Sequence, residues 1–183
     1  MQAIIDAVEE GRLQAQVSVV ISDKKDAYIL ERAKNHGIEN HFIDPAQKSR
    51  EEFDKEITKI LEQKKADVIL LIGYMRWLSD EFVKRWEGRV INIHPSLLPA
   101  FAGLMDRQVH QAVLDSGIKE TGCTAHLVDK GKDTGKILVQ KKCQVEENDT
   151  VDSLKEKVQK LEGEALLEAI QKQYASFGQG NSE

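Results

Sequence analysis

Apolar positions along the chain switch repeatedly between a helical period and short extended runs. Gln2 to Val8 puts Ile4, Ile5 and Val8 on one helical face, with Gly11 where a C-cap belongs. Val17-Ser18-Val19-Val20-Ile21 predicts a strand, Asp26 to Asn35 a helix stopping at Gly37, and His41-Phe42-Ile43 a shorter strand. Ser49 and Glu52 have capping-box spacing and open a helix carrying Phe53, Ile57, Ile60 and Leu61. Asp67 to Ile72 is almost continuously apolar, as a strand covered on both faces requires. Ser79 can cap a short helix through Phe82 and Val83, and Val90-Ile91-Asn92-Ile93 reads as a buried strand. Pro99 to Arg107 has no strong period, and Val109 to Leu114 predicts a helix ending at Gly117. Thr124 to Val128 and Ile137 to Val145 predict strands joined by a turn at Asp133. Asp149 is placed to cap a last long helix through Val151, Leu154, Val158, Leu161, Leu166 and Ile170.

Strands alternating with helices predict one α/β domain with a mainly parallel sheet flanked by helices. That domain is expected to span 1–176, with 177–183 as a disordered tail. A chain of 183 residues with 40% apolar content can bury a full core. Its net charge of −5 argues against a nucleic-acid partner. No stretch approaches the ~20 apolar residues of a membrane span, and the N-terminus lacks a signal-peptide core, so a cytoplasmic location is expected. Cys123 and Cys143 both fall in predicted strands and read as buried free thiols.

The candidate chemistry lies in Asn92-Ile93-His94-Pro95-Ser96-Leu97-Leu98-Pro99 and, about forty residues on, in Asp133 of Val128-Asp129-Lys130-Gly131-Lys132-Asp133-Thr134-Gly135. Residues i and i+2 of a strand share a face, so Asn92 and His94 should emerge together at the strand's carboxyl end. Pro95, which cannot donate to a ladder, ends the run. Ligands bind at the carboxyl ends of strands in such sheets. An amide donor beside an imidazole suits addition to a carbonyl, with a carboxylate to orient the ring or relay a proton. Singly, each residue has a plainer reading: a strand-end histidine as a structural hydrogen-bonder, and Asp133 as a turn former. His126 is either a third polar group of the site or a satisfied strand histidine. A metal site built from His94, His126 and Asp133 lacks compact ligand spacing.

Together, these blocks resemble the folate-dependent formyltransferases, and within them the branch acting on glycinamide ribonucleotide in purine biosynthesis. The resemblance also rests on Gly122-Cys123-Thr124-Ala125-His126-Leu127, Gly73-Tyr74-Met75-Arg76-Trp77-Leu78-Ser79 and Ser49-Arg50-Glu51, and runs from Met1 to about Tyr174. It implies a single Rossmann-like formyltransferase domain using 10-formyltetrahydrofolate as formyl donor and no metal. Asn92, His94 and Asp133 match the catalytic three. Asn92 and a protonated His94 would hold the oxyanion, while Asp133 assists proton transfer from the attacking amine to the leaving folate nitrogen. Arg50, Met75, Arg76, Leu78, Val83 and Val128 match the folate pocket. Gly73, Pro95, Gly103, Gln159 and Glu162 match positions on the ribonucleotide side. A homodimer is also expected.

Three departures accompany the resemblance. The 101–107 loop is about two residues longer than in some family members, and Gly163 follows Glu162 where a histidine is common. The family opens with an apolar strand and a Gly-x-Gly-Ser-Asn loop that holds the substrate phosphate, whereas Met1-Gln2-Ala3-Ile4-Ile5-Asp6 matches the helix after that loop. The strands at 17–21 and 68–72 should therefore face each other across a gap with unpaired edges. On that ground the isolated chain is expected to be poorly stable and weakly active. Alternative readings are a hydrolase resembling formyltetrahydrofolate deformylase, whose family carries a second histidine where Pro95 stands, and an inactive folate-binding remnant.

Overall fold

The computed structural model describes residues 1–178. Six helices and six strands alternate along most of it: α1 Gln2–Glu9, β1 Val20–Ser22, α2 Tyr28–Asn35, β2 Asn40–Phe42, α3 Arg50–Gln63, β3 Ile69–Leu71, α4 Asp80–Arg85, β4 Val90–His94, α5 Arg107–Ser116, β5 Glu120–Leu127, β6 Ile137–Gln144 and α6 Val151–Gly178. Because α6 continues through Gly178, the expected tail is helical at its first two residues, and 179–183 lie outside the described part. None of the described helices is long and apolar enough to cross a membrane.

The strands form two sheets. β1 pairs parallel with β2, and a four-stranded sheet runs β3-β4-β5-β6. Its β3–β4 pair is parallel, while β5 and β6 run antiparallel to their neighbours. β1 and β3 are edge strands, and between them lies a cleft of about 510 Å³ lined by Val17, Val19, Ile21, Val68, Leu70 and Ile72. This is the expected gap. It also shortens the flanking strands: the run predicted to start at Val17 enters the ladder only at Val20, and the 67–72 run pairs only over Ile69–Leu71. A strand bonded on one side extends only as far as its single partner.

Alternation along β4 sorts its side chains. Ile91 and Ile93 join Ile4, Ala7, Cys123, Ala125, Val158 and Leu166 beneath α1 and α6, whereas Val90 packs with Phe53, Leu61, Phe82 and Trp86 beneath α3 and α4. Asn92 and His94 share the parity of Val90 and so leave the sheet on the α3/α4 side. Cys123 is fully buried, which pushes its thiol pKa up to about 12, and Cys143 is half-buried; both are free.

Side-chain caps start three of the six described helices. Ser49 accepts from the Glu52 N–H while the Glu52 carboxylate accepts from the Ser49 N–H, completing the capping box. Ser79 accepts from the Phe82 N–H and caps α4. The cap of α6 differs from expectation. Thr150, not Asp149, accepts from the Ser153 N–H, and Asp149 instead turns back to the Glu146 N–H.

Candidate active site

Asn92 and His94 emerge at the end of β4 with β5 alongside, Asn92 directly opposite His126 and His94 directly opposite Thr124. Past the strand, Thr124 Oγ1 donates to the Ser96 carbonyl at 2.6 Å and accepts from the Leu98 N–H at 3.0 Å, tying the departing chain to β5. That tether leads the 99–106 loop back over the strand tip, where the Phe101 carbonyl lies 3.2 Å from His94 Nε2.

Asp133 arrives from the β5–β6 connection. The plain turn-former role belongs to Asp129, whose carboxylate accepts from the Gly131 N–H at 3.0 Å and the Thr134 hydroxyl at 2.8 Å. A side chain on Gly135 would come within 1.8 Å of the Leu127 carbonyl, so the turn closes tightly only with glycine there. Asp133 itself sits at φ 56°, a conformation tolerated by aspartate better than by most residues. That twist aims its carboxylate inward. One oxygen accepts from the Gly103 N–H at 2.9 Å and lies 3.4 Å from His94 Nδ1; the other lies 3.4 Å from Asn92 Nδ2 and 3.5 Å from His126 Nε2.

The cluster opens into a pocket of about 200 Å³. All six residues expected on the folate side line it: Arg50, Met75, Arg76, Leu78, Val83 and Val128. Gly73 and Pro95 line it as well. The other residues expected on the ribonucleotide side do not. Gly103 is engaged with Asp133, Gln159 is exposed on α6, and Glu162 is half-buried on α6. Its burial raises the Glu162 pKa, opposed by the Met1 ammonium and Lys155. The 73–79 loop is secured where it enters α4 by buried Asp54, which accepts from the Ser79 N–H, and the Arg76 guanidinium stacks over the Phe53 ring at 4.7 Å. Among the described residues, no group of three or more His, Cys, Asp or Glu side chains is arranged to hold a metal ion.

The family model described as formyl transferase matches residues 1–170. This chain belongs to the formyl transferase family. The phosphoribosylglycinamide formyltransferase of Escherichia coli (strain K12) is 40% identical over 163 residues, covering 88% of this chain and 76% of that protein. The human trifunctional purine biosynthetic protein adenosine-3 is 40% identical over 172 residues, and the chain spans only 17% of its length. Glycinamide ribonucleotide transformylase 1 from Symbiobacterium toebii superposes with a TM-score of 0.88 at 42% identity, covering 92% of this chain and 79% of that one.

Electrostatics set the resting state of this formyl transferase. Burial lowers the His94 pKa below its ordinary value and outweighs Asp133 and the Phe101 carbonyl, which both favour the charged ring. The resting imidazole is thus neutral near neutral pH. Burial alone would raise the Asp133 pKa, but His126, the Gly103 N–H and His94 together bring it below the usual carboxylate value.

Sequence reasoning missed the Phe101 carbonyl and the Gly103 N–H as partners within the site, and left His126 undecided. Phe101 and Gly103 lie in a segment with no period, and a backbone group carries no residue-type signal.

Proposed function

We propose that this site transfers a formyl group from 10-formyltetrahydrofolate to the primary amine of glycinamide ribonucleotide, a step of purine biosynthesis. The observation carrying this reading is the convergence of Asn92 and His94, from the end of β4, and Asp133, from the β5–β6 turn, on one pocket with partly apolar walls. The likeness to the E. coli phosphoribosylglycinamide formyltransferase supports the amine as acceptor.

The chemistry follows from the donor set. The amine attacks the formyl carbon, and the carbonyl π-electrons move onto oxygen. Asn92 can supply an N–H to that oxyanion, because its contact to Asp133 at 3.4 Å is long and easily exchanged for a stronger acceptor. His94 lies between two acceptors, the Phe101 carbonyl and Asp133 Oδ2, and can satisfy both only when doubly protonated. Negative charge developing on the formyl oxygen favours that protonated ring, which takes its second proton from solvent as the oxyanion forms and gives it back as the oxyanion collapses. Asp133, held ionised, accepts the proton released by the attacking amine and returns it to the folate nitrogen as the carbon–nitrogen bond breaks. The products are a formamide and tetrahydrofolate, with no net proton change.

Loss of one oxyanion donor costs about 2.7–4 kcal/mol of barrier. Asn92→Ala should therefore slow tetrahydrofolate release, followed by absorbance with saturating ribonucleotide, by about 100- to 1000-fold. Unchanged turnover in that variant refutes the reading.

A further inference from the structure

His126 is fully buried on β5, lines the pocket and stands opposite Asn92 in the β4–β5 ladder. Directly opposed residues of antiparallel strands hold their side chains within contact distance, so the two act on each other whether or not a ligand is bound. The hydrogen-bond roles around the pair can be assigned from groups with only one possible role. The Leu127 carbonyl can only accept, and it lies 2.9 Å from His126 Nδ1, so Nδ1 bears the proton. Nε2 is then a lone pair: it lies 3.1 Å from Asn92 Nδ2, at hydrogen-bond distance, while the Asp133 carboxylate stands farther from it, at 3.5 Å. The Asp133 carboxylate, which also only accepts, flanks the same amide nitrogen from the other side at 3.4 Å. Turning the amide over would place its carbonyl oxygen against a ring lone pair and a carboxylate oxygen together.

We propose that His126 is a positioning residue whose Nε2 lone pair holds the Asn92 amide so that an N–H, and not the carbonyl oxygen, is presented to the reacting formyl oxygen. The residue does not touch substrate. It acts through Asn92 by occupying one amide hydrogen and fixing where the other points. Without an acceptor at His126, only the long 3.4 Å contact to Asp133 opposes inversion of the Asn92 amide, and an inverted or displaced amide offers no donor where the oxyanion needs one.

The kinetic half of the test rests on the formyl-transfer reading; the spectroscopic half does not. In the uniformly 15N-labelled full chain, His126 should show a protonated Nδ1 and an unprotonated Nε2. The Asn92 side-chain amide should give two proton resonances spread more widely than those of a free asparagine amide, and the separation should shrink to the free-amide value in His126→Phe. A protonated Nε2 in the wild-type chain overturns the proposal, whatever the enzyme's activity. In turnover, His126→Phe should lower kcat by about 100-fold, the scale of a misplaced reacting group, with KM for both substrates little changed. His126→Gln, which keeps an acceptor facing Asn92, should recover part of that loss. In an Asn92→Ala background, His126→Phe should cost no more than about twofold, since its effect passes through the amide already removed. An equal loss in both backgrounds overturns the proposal. A wild-type chain with no formyl transfer counts against the proposed function alone, and the ring and amide resonances still decide the role of His126.

Discussion

Burial and a nearby carboxylate pull the His94 ring in opposite directions, and His110 repeats the pattern. His110 is buried on α5 with Nδ1 unpartnered; burial lowers its pKa, Asp106 opposes, and Lys155, Arg107 and His94 reinforce the drop. Both rings are held neutral in the fold but protonate normally, near about 6.5, once unfolded. Below that pH the unfolded chain binds more protons than the native one, so stability falls as pH drops. The thermal midpoint should decline as pH is lowered from about 7.5 to 5.5. The carboxylates with lowered pKa, such as Asp133 and Asp106, titrate below that window. In His110→Leu the slope should be shallower, and a midpoint independent of pH in the wild-type chain contradicts this account of both rings. At the same scale, Asp133 shows how a plain sequence reading can attach to the wrong residue. Two aspartates share one turn, and propensity alone cannot say which builds it and which faces inward. The answer depends on φ at residue 133 and on the reach of Thr134 to Asp129.

Elements explain which parts of the architecture were legible beforehand. Helix positions followed from local rules, since a cap and an apolar period act within a few residues; Ser49, Ser79 and Gly117 all do what their positions imply. Strand extents did not, because a ladder needs a partner that periodicity cannot name. The Asn92–His126 pairing was hidden for the same reason: it depends on the β4–β5 register, and neither strand encodes that register alone. Gly163 marks another long-range constraint. A Cβ there would come within 2.7 Å of the Ala3 Cβ, so the close seating of α1 on α6 requires glycine and leaves no room for the histidine common in the family. Overpacking a well-fitted contact costs about 1–3 kcal/mol. Urea unfolding of Gly163→Ala should show a loss of that size through a lower midpoint with an unchanged slope. A variant as stable as wild type would mean that α1 moves aside freely.

For the whole molecule, the cleft between β1 and β3 is the dominant feature. The Val20 and Ile69 amides donate to Glu39 and Arg89, toward β2 and β4 respectively. Successive amides of a strand point to opposite sides, so those of Ile21 and Leu70 face the cleft. Hydrogen exchange should therefore be much faster at Ile21 and Leu70 than at Val20 and Ile69, with β4 and β5 protected most strongly. Equal protection on both sides of β1 and β3 would show that the cleft is closed in solution. β4, β5 and the Asp133 turn assemble the chemical centre on the far side of β3, and its pocket borders the cleft through Leu71, Gly73, Tyr74, Met75 and Leu78, which line both.

The most direct test of the central claim follows the fate of the carbon itself. With 10-formyltetrahydrofolate labelled in its formyl carbon and glycinamide ribonucleotide present, the label should appear as a formamide on the ribonucleotide amine. Its appearance should require the ribonucleotide and should fall in Asn92→Ala and Asp133→Asn. Label recovered as formate at the same rate with or without ribonucleotide would mean that the site delivers water, and amine-directed transfer by Asn92, His94 and Asp133 would be contradicted.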